Sequence, residues 1–274
     1  MAINYLIIGN GRCAKHFDHY FSLLCIPHRV WARHQRDDFR AVVTGDAELE
    51  TLANEADRIL LLISDSAISD FFESHPFLPS DKTLHFSGAL SHPKMFGVHP
   101  LMTFGHDLYD FDFYKKIPFV CETARPGVEA RSFDELLPGL PNPCYFLARE
   151  KKAYYHALCT MAGNFTTLLW ETAFRKFDHE LGLPRSVLLP YLERTCENLA
   201  LELKANQMKS VLTGPLQRGD SKTLIQHLDA LQGTIEQSLY YSFVNYFFKR
   251  ANSPDSEQAE PRLPTGELSR GEFL

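Results

Sequence analysis

The chain has no C-x-x-C pair, no excess of basic residues and no cationic leader before its first apolar run. Each absence removes a class of function. The six cysteines, at 13, 25, 121, 144, 159 and 196, are scattered, so they read as reduced, mostly buried thiols and not as a disulfide frame. The net charge of −6, with no basic stretch interleaved with aromatics, argues against nucleic acid or an anionic membrane surface as the main partner. No segment approaches the ~20 apolar residues of a membrane span. The first apolar run is short and ends in glycines, so no secretory signal is expected and the cytoplasm is the expected compartment. Twelve histidines offer no ligand set: His16 and His19 share a helix but lack further ligands at a suitable spacing, so no metal is expected.

What is present is an ordinary globular composition, 45% hydrophobic and 23% charged over 274 residues, long enough for two domains. The most informative stretch is Asn4-Tyr5-Leu6-Ile7-Ile8-Gly9-Asn10-Gly11-Arg12-Cys13-Ala14. An apolar strand feeds a G-x-G-x-x-A turn, and an amphipathic segment follows from Lys15 to Leu24. In that order the residues have physical tasks. Gly9 permits the tight turn, Gly11 lets the backbone touch a pyrophosphate, and Ala14 keeps helix and strand close. The helix start offers unpaired N–H donors and partial positive charge. The reading is a dinucleotide site made by Gly9, Asn10, Gly11, Arg12, Cys13 and Ala14. Cys13 sits where a helix N-terminus lowers a thiol pKa, which admits redox sensitivity beside the plainer reading of a spacer.

Seven apolar, β-branched runs are predicted as strands, at 3–8, 29–32, 59–63, 83–86, 96–98, 118–121 and 145–148. Helical or turn-rich connectors separate the early ones, the pattern of βαβ units on a largely parallel sheet. After about residue 150 the texture changes. Residues 151–180 carry no proline and one glycine, with apolar residues at helical spacing, until Gly182-Leu183-Pro184 stops the run. Further helices are predicted at 185–204, 222–231 and 234–250. The fold class is therefore α/β: a Rossmann-type, largely parallel domain over 1–150, then an all-helical domain over 151–250. The last helix is apolar around much of its circumference, which predicts a homodimer core. Residues 251–274 are polar and rich in Pro, Ser and Glu, the composition of a disordered tail.

The residue that reads the adenosine ribose should lie about 20 positions past the fingerprint. Here that stretch is Trp31-Ala32-Arg33-His34-Gln35-Arg36, with no acid before Asp37. Arg33, helped by His34 or Arg36, suits a 2′-phosphate, which favours NADP. NAD stays open, since Asp37 reaches the ribose if the strand runs long. Three later loops belong at the carboxyl edge of the sheet. Ser64 and Asp65 either pass the cofactor or cap a helix. Ser87 precedes Gly88, and His99 is held before Pro100. A histidine with a near-neutral pKa can exchange a proton as hydride moves, and a backbone-bonded structural histidine is the alternative. On the long helix His156, Thr160 and Asn164 form a polar stripe whose partner is another helix, water, or a ligand between the domains. Near the end, Leu212-Thr213-Gly214-Pro215-Leu216-Gln217-Arg218-Gly219-Asp220 reads as a turn-rich loop. There Arg218 binds a substrate carboxylate or pairs with Asp220, and a plain surface linker is the alternative.

Together the segments GNGRCA (9–14), LLLISDSAI (60–68), HFSGALS (85–91), GVHPLMTF (97–104), the YH…N helix (155–164) and LTGPLQRGD (212–220) resemble a family of Rossmann-like proteins whose helical C-terminal domain has unknown function. That family is similar to pyrroline-5-carboxylate reductase, prephenate dehydrogenase and the 6-phosphogluconate dehydrogenase group. The resemblance implies an all-helical dimerisation domain like that of 6-phosphogluconate dehydrogenase, with a small-molecule substrate between the domains. The Gly-x-His-Pro stretch is similar to that of prephenate dehydrogenases, whose histidine contacts substrate, which implies such a role for His99. One departure stands out. The related β-hydroxyacid dehydrogenases place a lysine four residues before the helix asparagine, and Thr160 occupies that position before Asn164. The expectation is an NADP-dependent oxidoreductase in which Ser87, His99, His156 and Asn164 do the chemistry and Arg218 and Asp220 meet substrate. A non-catalytic NADP-binding sensor is the alternative. Substrate and reaction direction are not legible.

Overall fold

A computed structural model describes residues 3–34, 45–124, 127, 129–205 and 211–251. Gln35, Arg36, Asp37 and the tail from 252 onward lie outside the described residues. Seven strands, β1 (Tyr5–Ile8), β2 (His28–Trp31), β3 (Arg58–Leu61), β4 (Thr83–His85), β5 (Phe96–Pro100), β6 (Phe119–Glu122) and β7 (Cys144–Leu147), form one sheet in the order β2-β1-β3-β4-β5-β6-β7. Every neighbouring pair is parallel except β5 with β6. All seven predicted strands are present, and the α/β, largely parallel architecture holds.

Alternation explains why β1 and β3 read as unbroken apolar runs. Tyr5 and Ile7 join the core on one face of the sheet, while Leu6 and Ile8 join the core on the other. Leu60 and Ile59 divide the same way. A strand covered on both faces has no solvent side on which to place polar residues. The first face is closed by α1 (Arg12–Leu23), through Phe17, Tyr20 and Phe21. The second is closed by α2 (Asp46–Glu55) and α3 (Asp65–Ser74), through Leu49, Ala53, Ile68, Phe71 and Phe72. Burying each such large side chain contributes roughly 1.5–3 kcal/mol. Two four-residue helices, α4 (Phe111–Tyr114) and α5 (Phe133–Leu136), each start on a side-chain cap, Asp110 and Ser132.

The predicted long helix runs as α6 (Lys152–Thr160), a π-helical turn (Met161–Phe165) and α7 (Thr166–His179). The wider π turn, which residue spacing did not reveal, changes the phase of the helix between Thr160 and Thr166. Compact packing divides the chain at 173/174. The second unit comprises the end of α7, a 3-10 turn (Arg185–Leu188), α8 (Leu189–Lys204), α9 (Pro215–Arg218), α10 (Ser221–Ala230) and α11 (Ile235–Ala251). Its small core gathers Leu224, Val244, Phe247 and Phe248, with Tyr240 packed against them. The stretch expected as a loop at 212–220 contains the helical turn α9. Pro215 at its first position and the left-handed Gly219 after its last explain the start and stop.

The cysteines differ from expectation. All six are free, but only Cys121 is buried; Cys25 and Cys196 are exposed. Cys121 lies on a strand covered on both faces, whereas Cys25 follows α1 in a turn and Cys196 lies midway along α8, on a side that faces solvent. No helix among the described residues is long and apolar enough to cross a membrane.

Candidate functional site

The glycine turn lies where β1 ends. Gly9 has φ +139°, and its N–H donates to the Trp31 carbonyl at 2.9 Å. A methyl group at Gly9 would run into the Leu62 carbonyl, so only glycine allows β1 to turn beside β3. Gly11 differs: it caps α1 in an extended conformation, and nothing lies within 4 Å of where a side chain would begin. No side chain caps the helix start, which leaves its first-turn N–H groups facing outward. Asn10 is spent on structure, donating from Nδ2 to the His34 carbonyl at 2.8 Å.

Two cavities share the rim of this turn. One of about 750 Å³ is lined by Gly9 through Cys13, by Ser64, by Met102, Thr103 and Phe104, and by Asn164, Thr167, Leu168 and Glu171. The other, about 530 Å³, is lined by Gly9, Asn10, Ala32, Arg33, His34, Ser66, Asp70 and Phe71. Arg33 follows β2, and its guanidinium lies 5.3 Å from the centre of the Phe71 ring. It forms no ion pair among the described residues. Asp37, the alternative ribose reader, lies outside the described residues.

Cys13 corrects an expectation. Its side chain packs against the core beneath α1, and burial pushes its thiol up to about 12, against the lowering that a helix start favours. Ala14 is wholly buried at the helix–strand contact.

A second group of residues gathers around His99 on β5. Its Nδ1 lies 2.8 Å from the Tyr155 hydroxyl, and its ring meets that of His156 edge-on at 5.5 Å. The near-neutral pKa expected of His99 is not observed. Burial, then the charges of His156 and Lys152, push it down to about 4, so the imidazole is neutral at pH 7. Ser87 donates to Asp65 Oδ2 at 2.5 Å and accepts from the Leu90 N–H at 2.9 Å. Ser87 is buried in that turn and Asp65 is its partner. Ser64 starts α3 without a side-chain cap.

Beneath this group lies a buried ionic cluster to which sequence reasoning gave no role. Lys152 Nζ is 2.9 Å from Glu122 Oε1, Arg149 Nε is 3.5 Å from Glu122 Oε2, and His85 Nε2 is 3.9 Å from Glu122 Oε1. The Glu122 and His85 side chains are 0% exposed and that of Lys152 4%, so the ions are inside the protein. Burial pushes the His85 pKa well down and lowers that of Lys152, whose partner Glu122 resists the change. Neither His85 nitrogen has a hydrogen-bond partner among the described residues. Register explains the meeting. His85 pairs with Gly97 across β4 and β5, and antiparallel pairing of Val98 with Cys121 brings Glu122 opposite Gly97. A side chain at Gly97 would collide with Lys152 Nζ, His85 and Glu122, and one at Gly88 would collide with the His156 ring. Two glycines thus admit two polar side chains one turn apart on α6. Gly97 was legible as part of GVHP, but its reason was not.

The structure therefore brings Ser64 and Asn164 together with the glycine turn, and His99 and His156 together around Gly88. Arg218 and Asp220 belong to the other compact unit. There Asp220 caps α10, accepting from the Thr223 N–H at 3.1 Å and the Thr223 hydroxyl at 2.8 Å. His16, half of the histidine pair on α1, is buried between the Tyr114 hydroxyl at 2.7 Å and the Gly105 carbonyl at 3.1 Å. Among the described residues no group of three His, Cys, Asp or Glu side chains could hold a metal.

Residues 117–246 match the family described as a domain of unknown function (DUF2520), so that domain is present in this chain. No curated protein matches the chain in sequence. Similar solved structures include a Bacteroides fragilis protein provisionally described as an NADP oxidoreductase, 20% identical with TM-score 0.66, over 90% of this chain and 98% of that one. A second is a reductive aminase from Aspergillus terreus in complex with NADPH and ethyl levulinate, 14% identical with TM-score 0.56, over 92% and 94%. A third is the pyrroline carboxylate reductase of Plasmodium falciparum with NADP bound, 13% identical with TM-score 0.53, over 91% and 93%. At these identities the likeness establishes the shared fold, a Rossmann-like sheet followed by helices.

Proposed function

We propose that the protein is an NADP-dependent oxidoreductase acting on a small, carboxylate-bearing substrate, and that it works as a homodimer. One observation carries the reading: a turn of bare main chain, uncapped at the start of α1, opens on two cavities, and the one beside β2 is lined by Arg33, which forms no ion pair among the described residues. The residues fit the cofactor. First-turn N–H groups of α1 and the helix dipole would take the pyrophosphate, and Gly11 leaves room for its approach. Arg33 would hold a 2′-phosphate by charge-assisted hydrogen bonds, with His34 beside it. Bound there, the nicotinamide would supply or take up the hydride. Asn164, projecting from the π turn, would orient the ring or substrate with amide hydrogen bonds, while Ser87 and Asp65 hold the Gly88 turn in shape. His99 and His156 would face the reacting group, and Arg218 would meet a substrate carboxylate. The reductive aminase and the pyrroline carboxylate reductase hold NADPH and NADP, which supports the same choice of nucleotide here.

A second copy of the chain is the natural cover for the exposed apolar side chains of the long helix and α11, which include Tyr154, Met161, Phe165, Leu168, Phe243 and Tyr246. A monomeric mass in light scattering would remove that part of the proposal.

The nucleotide is tested by calorimetric titration with NADPH and NADH. NADPH should bind more tightly, and Arg33→Ala should weaken it about tenfold, the value of roughly one charge-assisted bond, with NADH unchanged. Catalysis is tested by following NADPH absorbance with a panel of oxo and imino acids. No heat at millimolar NADPH removes the proposal. Tight binding without turnover on any of them favours a nucleotide sensor.

A further inference from the structure

Two side chains from one turn of α6 meet His99, and a third, Lys152, acts on it through its charge. Lys152, Tyr155 and His156 stand at i, i+3 and i+4, hence on one face. Lys152 is fixed over Gly97 by Glu122, and His156 is fixed over Gly88. Between them the Tyr155 hydroxyl meets His99 Nδ1 at 2.8 Å. His99 Nε2 makes no hydrogen bond among the described residues, yet it is not among the sealed polar atoms. It is the end of the imidazole left for a ligand.

The Tyr155–His99 contact runs in one of two directions, and the direction decides what His99 can do. If the phenol donates to Nδ1, the proton of a neutral imidazole sits on Nε2. If Nδ1–H donates to the phenol, the tyrosine proton must go to its other neighbour, the Cys159 thiol. An imidazole nitrogen is a strong acceptor and thiol sulfur a weak one, so the first arrangement has the better pair of bonds. The phenol keeps its proton, since burial and then Cys159 push its pKa well above the ordinary tyrosine value. The charged groups facing His99 are Lys152 and His156 from α6 and Asp65 from α3. The first two disfavour an imidazolium, and Asp65, opposing them, does not prevail.

We infer that Tyr155 is a positioning residue that locks His99 in its Nε2–H tautomer, so that His99 offers a hydrogen-bond donor and the ligand group it meets is an acceptor oxygen, a carbonyl or a carboxylate. The ligand half of this inference rests on the oxidoreductase reading above. A protonated imine or an ammonium, having only donors, would meet another donor at Nε2 with the Lys152 charge behind it. The geometry thus narrows the substrate from oxo and imino compounds to those presenting a lone-pair oxygen at this point. No covalent step is involved: His99 polarises the acceptor without giving up its proton.

The test is nitrogen NMR on the full chain with ¹⁵N-labelled histidine at pH 7, His99 being assigned by the signals lost in His99→Gln. The expected spectrum shows a directly bonded proton on Nε2 and an unprotonated Nδ1. In Tyr155→Phe that preference should relax from complete to the partial Nε2–H excess of a free imidazole, with NADPH affinity within about twofold of the parent. A proton on Nδ1 in the parent protein overturns the inference, as does an Nε2–H preference that stays complete in Tyr155→Phe. If Tyr155→Phe does not fold, the parent spectrum alone decides. Failure of the parent protein to bind NADPH overturns the oxidoreductase reading and the ligand with it, by a measurement separate from the tautomer.

Discussion

The two halves of the sheet bind charge by opposite means. At the β1–β3 end both faces of the sheet are covered by apolar side chains, and the glycine turn offers main chain bared by Gly9 and Gly11, with Arg33 beside it. At the β4–β6 end the sheet carries full charges inside the protein, with Glu122 and Lys152 paired over Gly97 beside a neutral His85. The first half offers partial charges outward, and the second holds buried charges that answer one another. Removing a component from the first should therefore cost binding, and from the second, stability.

The largest effect is expected at Glu122. Glu122→Gln keeps the shape but leaves Lys152 and Arg149 without a counter-charge, and breaking a buried pair in this way costs about 3–5 kcal/mol. Urea unfolding measures it. Adding Lys152→Met to Glu122→Gln should recover most of the loss, since an apolar side chain needs no partner. Equal losses in the single and double variants would show that the cluster is not coupled.

A smaller effect follows from the histidines at the same end. His85 and His99 have folded-state pKa values below the ordinary 6.5, that of His99 at about 4. The unfolded chain therefore takes up their protons first as pH falls. Stability from these two groups is complete above about pH 6.5 and declines as pH drops towards 4, by up to about 1.4 kcal/mol per unit for each group. His28, for which burial is outweighed by Asp18 and its pKa raised, works in the opposite sense. Unfolding midpoints at pH 7, 6 and 5 should fall in order, and His99→Gln should flatten the decline. A midpoint that is level across this range would show that neither histidine is held neutral.

The same contrast separates what could be read from sequence from what could not. The glycine turn is local: strand, turn and helix start occupy ten consecutive residues, and each has a spacing that gives it away. The sheet was legible too, because burial on both faces writes itself as apolar runs. The ionic cluster draws on residues 85, 97, 122, 149 and 152, which only strand register brings together. No spacing rule connects them, and nothing in the helical run at 151–180 marks Lys152 as buried. The π turn at 161–165 escaped for a different reason, since one residue more per turn leaves the apolar pattern nearly intact. Asp220 was legible as polar, but its work as a helix cap depends on where α10 begins.

The smallest change in stability is expected where binding should change most. Gly9 and Gly11 stand two residues apart in one motif, yet the structure assigns them different work. At Gly9 an alanine meets both a left-handed φ and the Leu62 carbonyl, so Gly9→Ala should destabilise the fold by about 1–3 kcal/mol as well as disturb the site. At Gly11 the backbone is extended and the space is open, so Gly11→Ala should cost no more than about 1 kcal/mol, the difference between glycine and alanine at a helix N-cap. Its new methyl group would stand where a pyrophosphate must approach the first-turn N–H groups. Thermal unfolding should therefore place Gly11→Ala beside the parent protein and Gly9→Ala well below it, while calorimetry with NADPH finds both variants at least tenfold weaker. A Gly11→Ala variant that binds NADPH as the parent does would show that the nucleotide, if bound, does not lie on this turn.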